Sequence, residues 1–396
     1  MPVIIYDVIV VGGGAMGLAA AYYLSQAGKS VLVLEQYEFV NQLGSTAGDS
    51  RYFRVMHSDP VMLLLAQSAL KLWRTLEEVA GETLFDPRGV LFYGAESNAL
   101  TAKLSLAKTR QVMETFNAPH KLYNAAGLKD SFAMFAQVPD NYIGLLDESG
   151  GNLRVGPILR AFHRLARRRG ATLQANEMVS GIDWRGQDAV TVTTNQAQYQ
   201  AEKVILTPGA WANQILQTLK PVRTQLNLTI LEMTVAYYAV DVTFDDAPLW
   251  YEFGPARGDN QGLFYGLPPF ERTGQMKGGA DFARYVYPSP ERLTRRPDQK
   301  VMAFTQALYR ERLRGIDPTP MPGSATTCLY TLTPDSHFVL DFLPQTTNII
   351  LFTGGSGQAF KFTPLIGSIL AELALCGASQ YNLTAFRINR PGIIQS

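Results

Sequence analysis

The stretch IYDVIVVGGGAMG, residues 5–17, decides the fold of this chain. Its apolar, β-branched run predicts a buried strand, and the glycines that follow, Gly12, Gly14 and Gly17, have G-x-G-x-x-G spacing. In such a turn the first glycine permits a tight bend, the second lets the backbone approach a diphosphate, and the third lets a helix pack closely on the strand. The stretch therefore predicts the start of a nucleotide-binding α/β domain.

The next residues complete this unit. The alanine-rich run 18–29 predicts a helix with Gly28 as its C-cap, and SVLVLE predicts a second strand that ends at Glu35. The N-terminus of such a helix has unpaired N–H groups and a partial positive charge, which favour a diphosphate. A carboxylate at the end of the second strand accepts hydrogen bonds from a ribose diol and disfavours a 2′-phosphate. We therefore expect FAD or NAD rather than NADP.

Length and composition fit two domains. The 396 residues are 46% hydrophobic and 17% charged, as in a well-folded globular protein. Strand–turn–helix patterns predict an α/β, Rossmann-like nucleotide-binding domain that is discontinuous in sequence. Alternating and aromatic runs predict an inserted substrate domain of mostly antiparallel β-sheet plus helices. The predicted nucleotide domain covers 1–85, 147–212 and 325–396, and the predicted substrate domain covers 86–146 and 213–324.

A second glycine turn lies near the end of the chain. Residues 348–377 predict a strand, a turn that contains Gly355 and Gly357, and a long helix. This order repeats the pattern of the first turn. It predicts a second helix N-terminus directed at the same ligand.

Composition also excludes several classes of function. The net charge is +1, so no global field attracts nucleic acid or an acidic membrane. Two cysteines cannot form a disulfide framework, and the four histidines have no zinc-site spacing, so we expect no metal. No charged-then-apolar leader and no run of 18 apolar residues is present, which predicts a cytoplasmic protein that does not enter the membrane.

Five motifs together resemble the D-amino-acid-oxidase superfamily of flavoproteins, and within it monomeric sarcosine oxidase and N-methyltryptophan oxidase. The resemblance spans essentially the whole chain and implies that the nucleotide domain binds FAD. The motifs are GGGAMG with Glu35, GSTAGDSRYFR (44–54), ILTPGAW (205–211), CLYTLTPDSHFVLD (328–341) and GGSGQAFKF (354–362).

The resemblance implies an FAD-dependent amine oxidase. Such an enzyme oxidises a secondary (N-methyl or N-alkyl) amino acid to an imine by hydride transfer to flavin N5, and O2 reoxidises the flavin with release of hydrogen peroxide. The expected partners are an amino-acid-like secondary amine and O2, and the expected state is a monomer. Three alternatives remain open: a fructosyl-amino-acid or cyclic imino-acid (pipecolate or proline) oxidase, a dehydrogenase with a protein electron acceptor, and a non-catalytic flavoprotein.

The resemblance also assigns residues to the flavin. Cys328, in its C-x-Y-T context, matches the cysteine that is joined through sulfur to the 8α-methyl group of the flavin; the alternative is an inert buried thiol. Ser45 and Arg51 belong to the same cofactor-binding set, with Arg51 against the flavin. The second cysteine, Cys376, lies in an apolar helix and is expected in the core.

The remaining matches concern substrate and oxygen. Arg54 and Lys361 match the pair that binds the substrate carboxylate. Lys277 matches the lysine near flavin N5 that stabilises the anion formed when oxygen takes an electron. Tyr265 and Tyr330 are expected to border the substrate site. Without the resemblance, the cations would be ordinary solvated side chains and the tyrosines core aromatics.

Two departures from the family pattern concern the substrate. Asp281 and Gln358 stand where sarcosine oxidase has histidines, and this puts sarcosine itself in doubt as the substrate. An acidic side chain beside the cavity favours a substrate with an additional amine or hydroxyl group. The alternative is that Asp281 pairs with a local arginine such as Arg284.

Overall fold

The computed structural model describes residues 4–96, 99–101, 104–184, 189–221, 224–255 and 262–395. The α-helices of these residues are α1 (Ala15–Gln26), α2 (Pro60–Ala80), α3 (Leu106–Thr115), α4 (Ala125–Ser131), α5 (Val155–Arg168), α6 (Ala212–Gln217), α7 (Gln299–Arg312) and α8 (Thr363–Cys376).

The strands of the described residues form four sheets. In chain order they are β1 (Ile4–Val11), β2 (Val31–Leu34), β3 (Ser50–Phe53), β4 (Phe85–Asp86), β5 (Val90–Ala95), β6 (Ala99–Thr101), β7 (Leu104–Ser105), β8 (Lys121–Asn124), β9 (Tyr142–Asp147), β10 (Gly151–Arg154), β11 (Thr172–Gln174), β12 (Val179–Asp183), β13 (Val190–Thr194), β14 (Gln198–Leu206), β15 (Leu219–Lys220), β16 (Thr229–Val240), β17 (Leu249–Phe253), β18 (Leu263–Leu267), β19 (Gln275–Ala280), β20 (Val286–Tyr287), β21 (Ile316–Pro320), β22 (Thr326–Leu332), β23 (Val339–Phe342) and β24 (Ile349–Thr353).

A nine-stranded sheet contains the predicted nucleotide-binding unit. Its strands β11, β2, β1, β14 and β24 run parallel to one another in that spatial order. Along β1, Val8 and Val10 belong to one hydrophobic cluster, whereas Ile9 and Val11 belong to another. The strand is therefore buried on both faces, which explains why its sequence is a continuous apolar run.

The second large sheet has ten strands and is mostly antiparallel. Its twelve-residue strand β16 pairs with β19, β20, β21 and β22. The predicted fold class, an α/β nucleotide domain with an inserted antiparallel sheet, is confirmed. The predicted domain limits remain a prediction. Strand β22 lies in the ten-stranded sheet, although its residues fall within the predicted nucleotide-domain segment 325–396.

A small three-stranded sheet, β3–β10–β4, contains the end of the motif GSTAGDSRYFR (44–54). Its strand Ser50–Phe53 pairs in register with β10, so that Arg51 lies opposite Leu153. Arg54 directly follows the strand. Because successive side chains of a strand alternate in direction, this pairing fixes where the motif points.

Helix α8 is apolar and mostly buried. With the short 3₁₀ turn before it, the helical segment Ala359–Cys376 is long and apolar enough to cross a membrane, with a mean hydropathy of 1.5, yet 72% of it is buried inside the protein. The prediction that Cys376 lies in the core is wrong. It is the last residue of α8 and is exposed, because the helix ends there at Gly377 in a left-handed conformation, outside the packed turns.

The glycine turn leaves no room for a side chain at Gly17. A Cβ atom there would lie 1.9 Å from the carbonyl oxygen of Gly12 and 2.7 Å from Oγ1 of Thr207. We predict that Gly17→Ala lowers the free energy of unfolding by about 1–3 kcal/mol, as overpacking does elsewhere, measured by denaturant titration. Gly181→Ala is the control, because the nearest atom to its Cβ would lie 3.7 Å away. Equal stability of both variants would contradict this account of the turn.

Candidate functional site

A cavity of about 460 Å³ opens at the carboxyl ends of the parallel strands. This is where doubly wound sheets bind nucleotides, because helix N-termini and loops converge there. The lining comes from both predicted cofactor motifs and from β22. Among the predicted residues it includes Gly12, Gly14, Glu35, Ser45, Arg51, Tyr330, Gly355, Gly357 and Gln358.

The first wall is the glycine turn. Gly12 has a φ of +105°, and a Cβ atom there would lie 2.4 Å from the carbonyl oxygen of Thr207. The hydroxyl of Thr207 donates to the carbonyl oxygens of Val11 (3.2 Å) and Gly12 (2.8 Å). The turn therefore passes against the end of β14, and only glycine fits at its first position.

Glu35 braces the same turn. Its carboxylate accepts hydrogen bonds from the backbone N–H groups of Gly13 (2.7 Å) and Tyr37 (2.9 Å). Burial raises the pKa of Glu35, while these backbone hydrogen bonds lower it. The side chain is buried and lines the cavity, as a ribose-binding carboxylate requires.

The second wall is the glycine turn after β24. Gly357 has a φ of +70°, and a Cβ atom there would lie 2.4 Å from the ring of Tyr330. The turn leads into a 3₁₀ segment, Ala359–Phe362, and then α8. Neither that segment nor α1 has a side-chain hydrogen bond at its N-cap. The backbone N–H groups of Gln358 and Ala359, however, donate to the Gly355 carbonyl oxygen, so it is the start of α1 that has uncapped N–H groups beside the cavity.

These features fit FAD. The uncapped start of α1 and a glycine turn that excludes side chains suit a diphosphate, and Glu35 suits a ribose. Among the described residues, the buried hydroxyl of Thr331 on the cavity wall has no hydrogen-bond partner. A polar ligand in the cavity would supply one.

Arg51 and Lys277 form a cationic group at the edge of the cavity. Arg51 donates hydrogen bonds to the carbonyl oxygens of Ser50 (2.8 Å) and Ser45 (3.2 Å), and its guanidinium lies 6.0 Å from the ring centroid of Phe360. Nζ of Lys277 donates to the same Ser50 carbonyl at 3.0 Å. Burial and the charge of Arg51 lower the pKa of Lys277 to about 7.

Cys328 lies in the same group. In β22, Cys328 pairs with Met233 of β16. Its side chain is on the same face of β22 as that of Tyr330, which lines the cavity. Burial raises the pKa of its thiol, whereas the nearby charges of Arg51 and Lys277 lower it. The structure thus brings the predicted tether, oxygen-activating lysine and flavin-contacting arginine together.

Arg54 and Lys361 form a second cationic group. The guanidinium of Arg54 lies 5.0 Å from the ring centroid of Phe92, and burial lowers its pKa to about 10. Nζ of Lys361 donates to the carbonyl oxygen of Gln358 at 2.7 Å. Burial, and secondarily the charge of Arg54, lowers the pKa of Lys361. A carboxylate would relieve the repulsion between these two buried groups.

The sequence analysis missed two residues of this group. Buried His57 packs at 6.0 Å against the ring of Phe362, and its Nε2 has no partner among the described residues. Burial lowers its pKa, as do the charges of Arg54 and Lys361, so the ring stays neutral. Only its place three residues after Arg54 could have indicated a role.

The other missed residue is Asp147 at the end of β9. Its fully buried carboxylate accepts hydrogen bonds from the backbone N–H groups of Val55 (2.6 Å) and Met56 (3.0 Å). Because these residues directly follow Arg54, Asp147 holds the backbone that positions the guanidinium. The residues around Asp147 in the sequence did not predict this long-range contact.

Three tyrosines form an aromatic wall beside Arg54. The ring centroid of Tyr251 lies 4.8 Å from that of Tyr52 and 5.4 Å from that of the predicted Tyr265. Tyr52 and Tyr251 were not singled out in the sequence, because nothing in their local pattern separates them from core aromatics. The wall is fixed in part by Tyr52, whose hydroxyl lies 2.8 Å from the Gly266 carbonyl oxygen.

The structure contradicts one of the two expectations for Asp281. Arg284 pairs with Asp298 at 3.2 Å instead, so the pairing of Asp281 with Arg284 is wrong. Asp281 interacts electrostatically with Arg54, and Tyr330 lies near enough to lower the pKa of its carboxyl group. Gln358 lines the cavity, but its side-chain amide donates to the carbonyl oxygen of Ser336 at 2.8 Å.

The part of the chain that the structure describes contains no group of three or more His, Cys, Asp or Glu side chains that could hold a metal ion. Both cysteines are free thiols.

Known proteins share both the sequence and the fold. Residues 7–373 match the family described as DAO, FAD dependent oxidoreductase. The chain is 31% identical to peroxisomal sarcosine oxidase of Homo sapiens over 98% of this chain and 96% of the relative. It is 30% identical to N-methyl-L-tryptophan oxidase of Salmonella dublin over 97% of this chain and 99% of the relative.

A solved structure gives the same result for the fold. NikD, described as an unusual amino acid oxidase essential for nikkomycin biosynthesis, superposes with a TM-score of 0.88 and 31% identity, over 97% of both chains. The predicted resemblance is confirmed. This protein belongs to the family of FAD-dependent oxidoreductases.

Proposed function

We propose that this protein is an FAD-dependent oxidase of secondary amino acids. The observation that carries the proposal is the pair of buried cations, Arg54 and Lys361, beside a wall of tyrosines and next to the cavity that fits FAD. Its relatives, which are named as oxidases of sarcosine, N-methyltryptophan and another amino acid, support the same reaction class.

Arg54 and Lys361 would bind the substrate carboxylate. A planar guanidinium offers paired donors to a carboxylate, and an ammonium adds a point charge. Because both groups are buried, their attraction for an anion is screened less than at the surface. Two fixed cations orient the bound acid, and orientation is the main contribution that such a site makes.

FAD, when bound, would supply the oxidising power by accepting hydride, and O2 would then take the electrons and form hydrogen peroxide. The residues Gly12, Gly14, Gly17, Glu35, Ser45, Gly355 and Gly357 would hold it. The chain's own task is to exclude water and to hold the substrate between the cations and the tyrosines. We further propose that the protein acts as a monomer in the cytoplasm.

Cys328 is the proposed covalent attachment point. Its side chain is on the same face of β22 as that of Tyr330, and although burial raises the pKa of the thiol, the charges of Arg51 and Lys277 favour the nucleophilic thiolate. Lys277 is the proposed site of oxygen activation. It is a buried cation held by the Ser50 carbonyl, where it would stabilise an oxygen anion.

The reaction class is tested by screening the purified holoenzyme for peroxide with N-methyl amino acids, pipecolate, proline and fructosyl amino acids. Peroxide from an N-methyl amino acid supports the proposal, whereas peroxide only from pipecolate or proline, or only from fructosyl amino acids, favours the corresponding alternative. Flavin reduction without peroxide, together with rapid electron transfer to an artificial acceptor, would indicate a dehydrogenase. A flavin band that no amine bleaches would indicate a non-catalytic flavoprotein.

The proposed tether through Cys328 predicts that flavin stays with the polypeptide when the protein is denatured in acid. After acid precipitation of the wild type, the yellow colour should remain with the polypeptide, because a thioether survives unfolding. In Cys328→Ala the flavin should appear in the supernatant, and Cys376→Ala, which changes the exposed second thiol, should behave as the wild type. Free flavin from the wild type would rule out the tether.

The lowered pKa of Lys277 predicts how the rate of flavin reoxidation depends on pH. Because its pKa is about 7, its cation is present below that pH and is lost above it. The rate at which O2 reoxidises reduced flavin should fall as pH rises through about 7. Lys277→Met should reoxidise slowly at every pH, while substrate still reduces its flavin at a nearly normal rate in stopped-flow measurements.

Lys71→Met, at an exposed position of α2, is the control for the loss of a lysine. It should retain the pH dependence of the wild type. If Lys277→Met instead abolishes flavin reduction and leaves reoxidation unchanged, the role assigned to Lys277 is wrong.

A further inference from the structure

Asp281 belongs to a cluster of charged and aromatic side chains at the proposed substrate site. It directly follows β19, and its backbone N–H donates to the Leu263 carbonyl oxygen at 2.9 Å, which fixes its position. The charged or titratable side chains that face it come from four other parts of the fold. They are Arg54 after β3, Tyr251 on β17, Tyr265 on β18, and Cys328 and Tyr330 on β22.

Arg54 and Asp281 attract each other without touching. Each contributes to the electrostatic environment of the other. Between these two described side chains, however, no nitrogen–oxygen distance is 4.0 Å or shorter, which is the limit for an ion pair. Tyr330 also faces the Asp281 carboxyl group and lowers its pKa. A positive and a negative group therefore face the site with a gap between their charged ends.

A zwitterion matches this arrangement of charges. An amino acid in water carries a carboxylate and an ammonium group on neighbouring carbon and nitrogen atoms. Its carboxylate complements Arg54 and Lys361, and its ammonium group complements Asp281. Burial removes the hydration of these opposite charges. A zwitterion that bridges them replaces that hydration with charge–charge interactions.

We propose that the protein binds its substrate as a zwitterion and that Asp281 holds the ammonium group and then accepts its proton. This inference rests on the proposed function. The proton moves from the substrate nitrogen to a carboxylate oxygen of Asp281, and the electron pair of the N–H bond stays on nitrogen. Nothing is oxidised in this step, but the amine becomes neutral, as the loss of hydride from the adjacent carbon requires.

The environment of Asp281 suits a proton acceptor. Burial raises its pKa to about 6, while Arg54 and Tyr330 lower it. The group is therefore ionised near neutral pH, yet it is a stronger base than an exposed aspartate. The assignment also defines the substrate class. Amino acids with a basic secondary nitrogen qualify, whereas N-acyl amino acids, whose nitrogen carries no charge, do not.

Binding of two unreactive probes tests this inference without turnover. Trimethylglycine carries a permanent positive charge, and 3,3-dimethylbutanoate has the same shape and carboxylate without that charge. Their dissociation constants for the holoenzyme can be measured from the shift of the flavin absorbance or by calorimetry. The ratio of the two constants isolates the contribution of the positive charge, because the carboxylate and its cationic partners titrate alike for both probes.

In the wild type, the preference for trimethylglycine over 3,3-dimethylbutanoate should be largest above pH 7. It should decline as pH falls through about 6, because protonation of Asp281 removes the negative charge. Asp281→Asn should reduce the affinity for trimethylglycine at least about tenfold and change that for 3,3-dimethylbutanoate by less than about twofold. Asp140→Asn, the same change at an exposed carboxylate, should leave both constants unchanged.

The outcomes separate the two proposals. If neither probe binds, the proposed carboxylate site is wrong, and with it the proposed function. If both bind but the ratio is independent of pH and of Asp281, the ammonium site is overturned while the oxidase proposal stands. If Asp281→Asn does not fold, the pH dependence of the ratio in the wild type still decides the question.

Discussion

The contact between Gly17 and the carbonyl oxygen of Gly12 is the constraint on which the rest of this structure depends. With no side chain at Gly17, α1 starts directly against the end of β1, and the hydroxyl of Thr207 closes the turn from β14. The N-terminus of α1 is thereby brought to the carboxyl edge of the parallel strands. Every other part of the cofactor cavity is arranged around that edge.

Strand β22 connects the cofactor cavity to the substrate site. It pairs with β16 in the ten-stranded sheet, yet Leu329 and Tyr330 line the cavity of the nine-stranded sheet. Tyr330 contacts the second glycine turn at Gly357, and it also interacts with Asp281, whose pKa it lowers. The cofactor cavity and the substrate-binding charges are therefore two ends of one continuous set of contacts, which places chemistry at the boundary between the sheets.

Local sequence was sufficient to predict some of these structural features but not others. The first glycine turn, Glu35 and the buried strand β1 were predictable because they belong to one strand–turn–helix–strand unit within residues 5–35, and the second glycine turn repeats its pattern. The partners of Asp281 were not, because Tyr330 and Arg54 reach it through strand pairings between segments that are far apart in sequence. His57 was missed for the same reason, and Cys376 was misassigned because an apolar helix was assumed to be buried to its last residue.

The central claim is that a buried pair of cations, Arg54 and Lys361, selects the carboxylate of a secondary amino acid beside the flavin. The most direct measurement is anaerobic bleaching of the flavin band by the most active secondary amino acid and by its methyl ester, which keeps the amine and removes the negative charge. The account predicts rapid bleaching by the acid and little or none by the ester at equal concentration. Equal bleaching by both would contradict it.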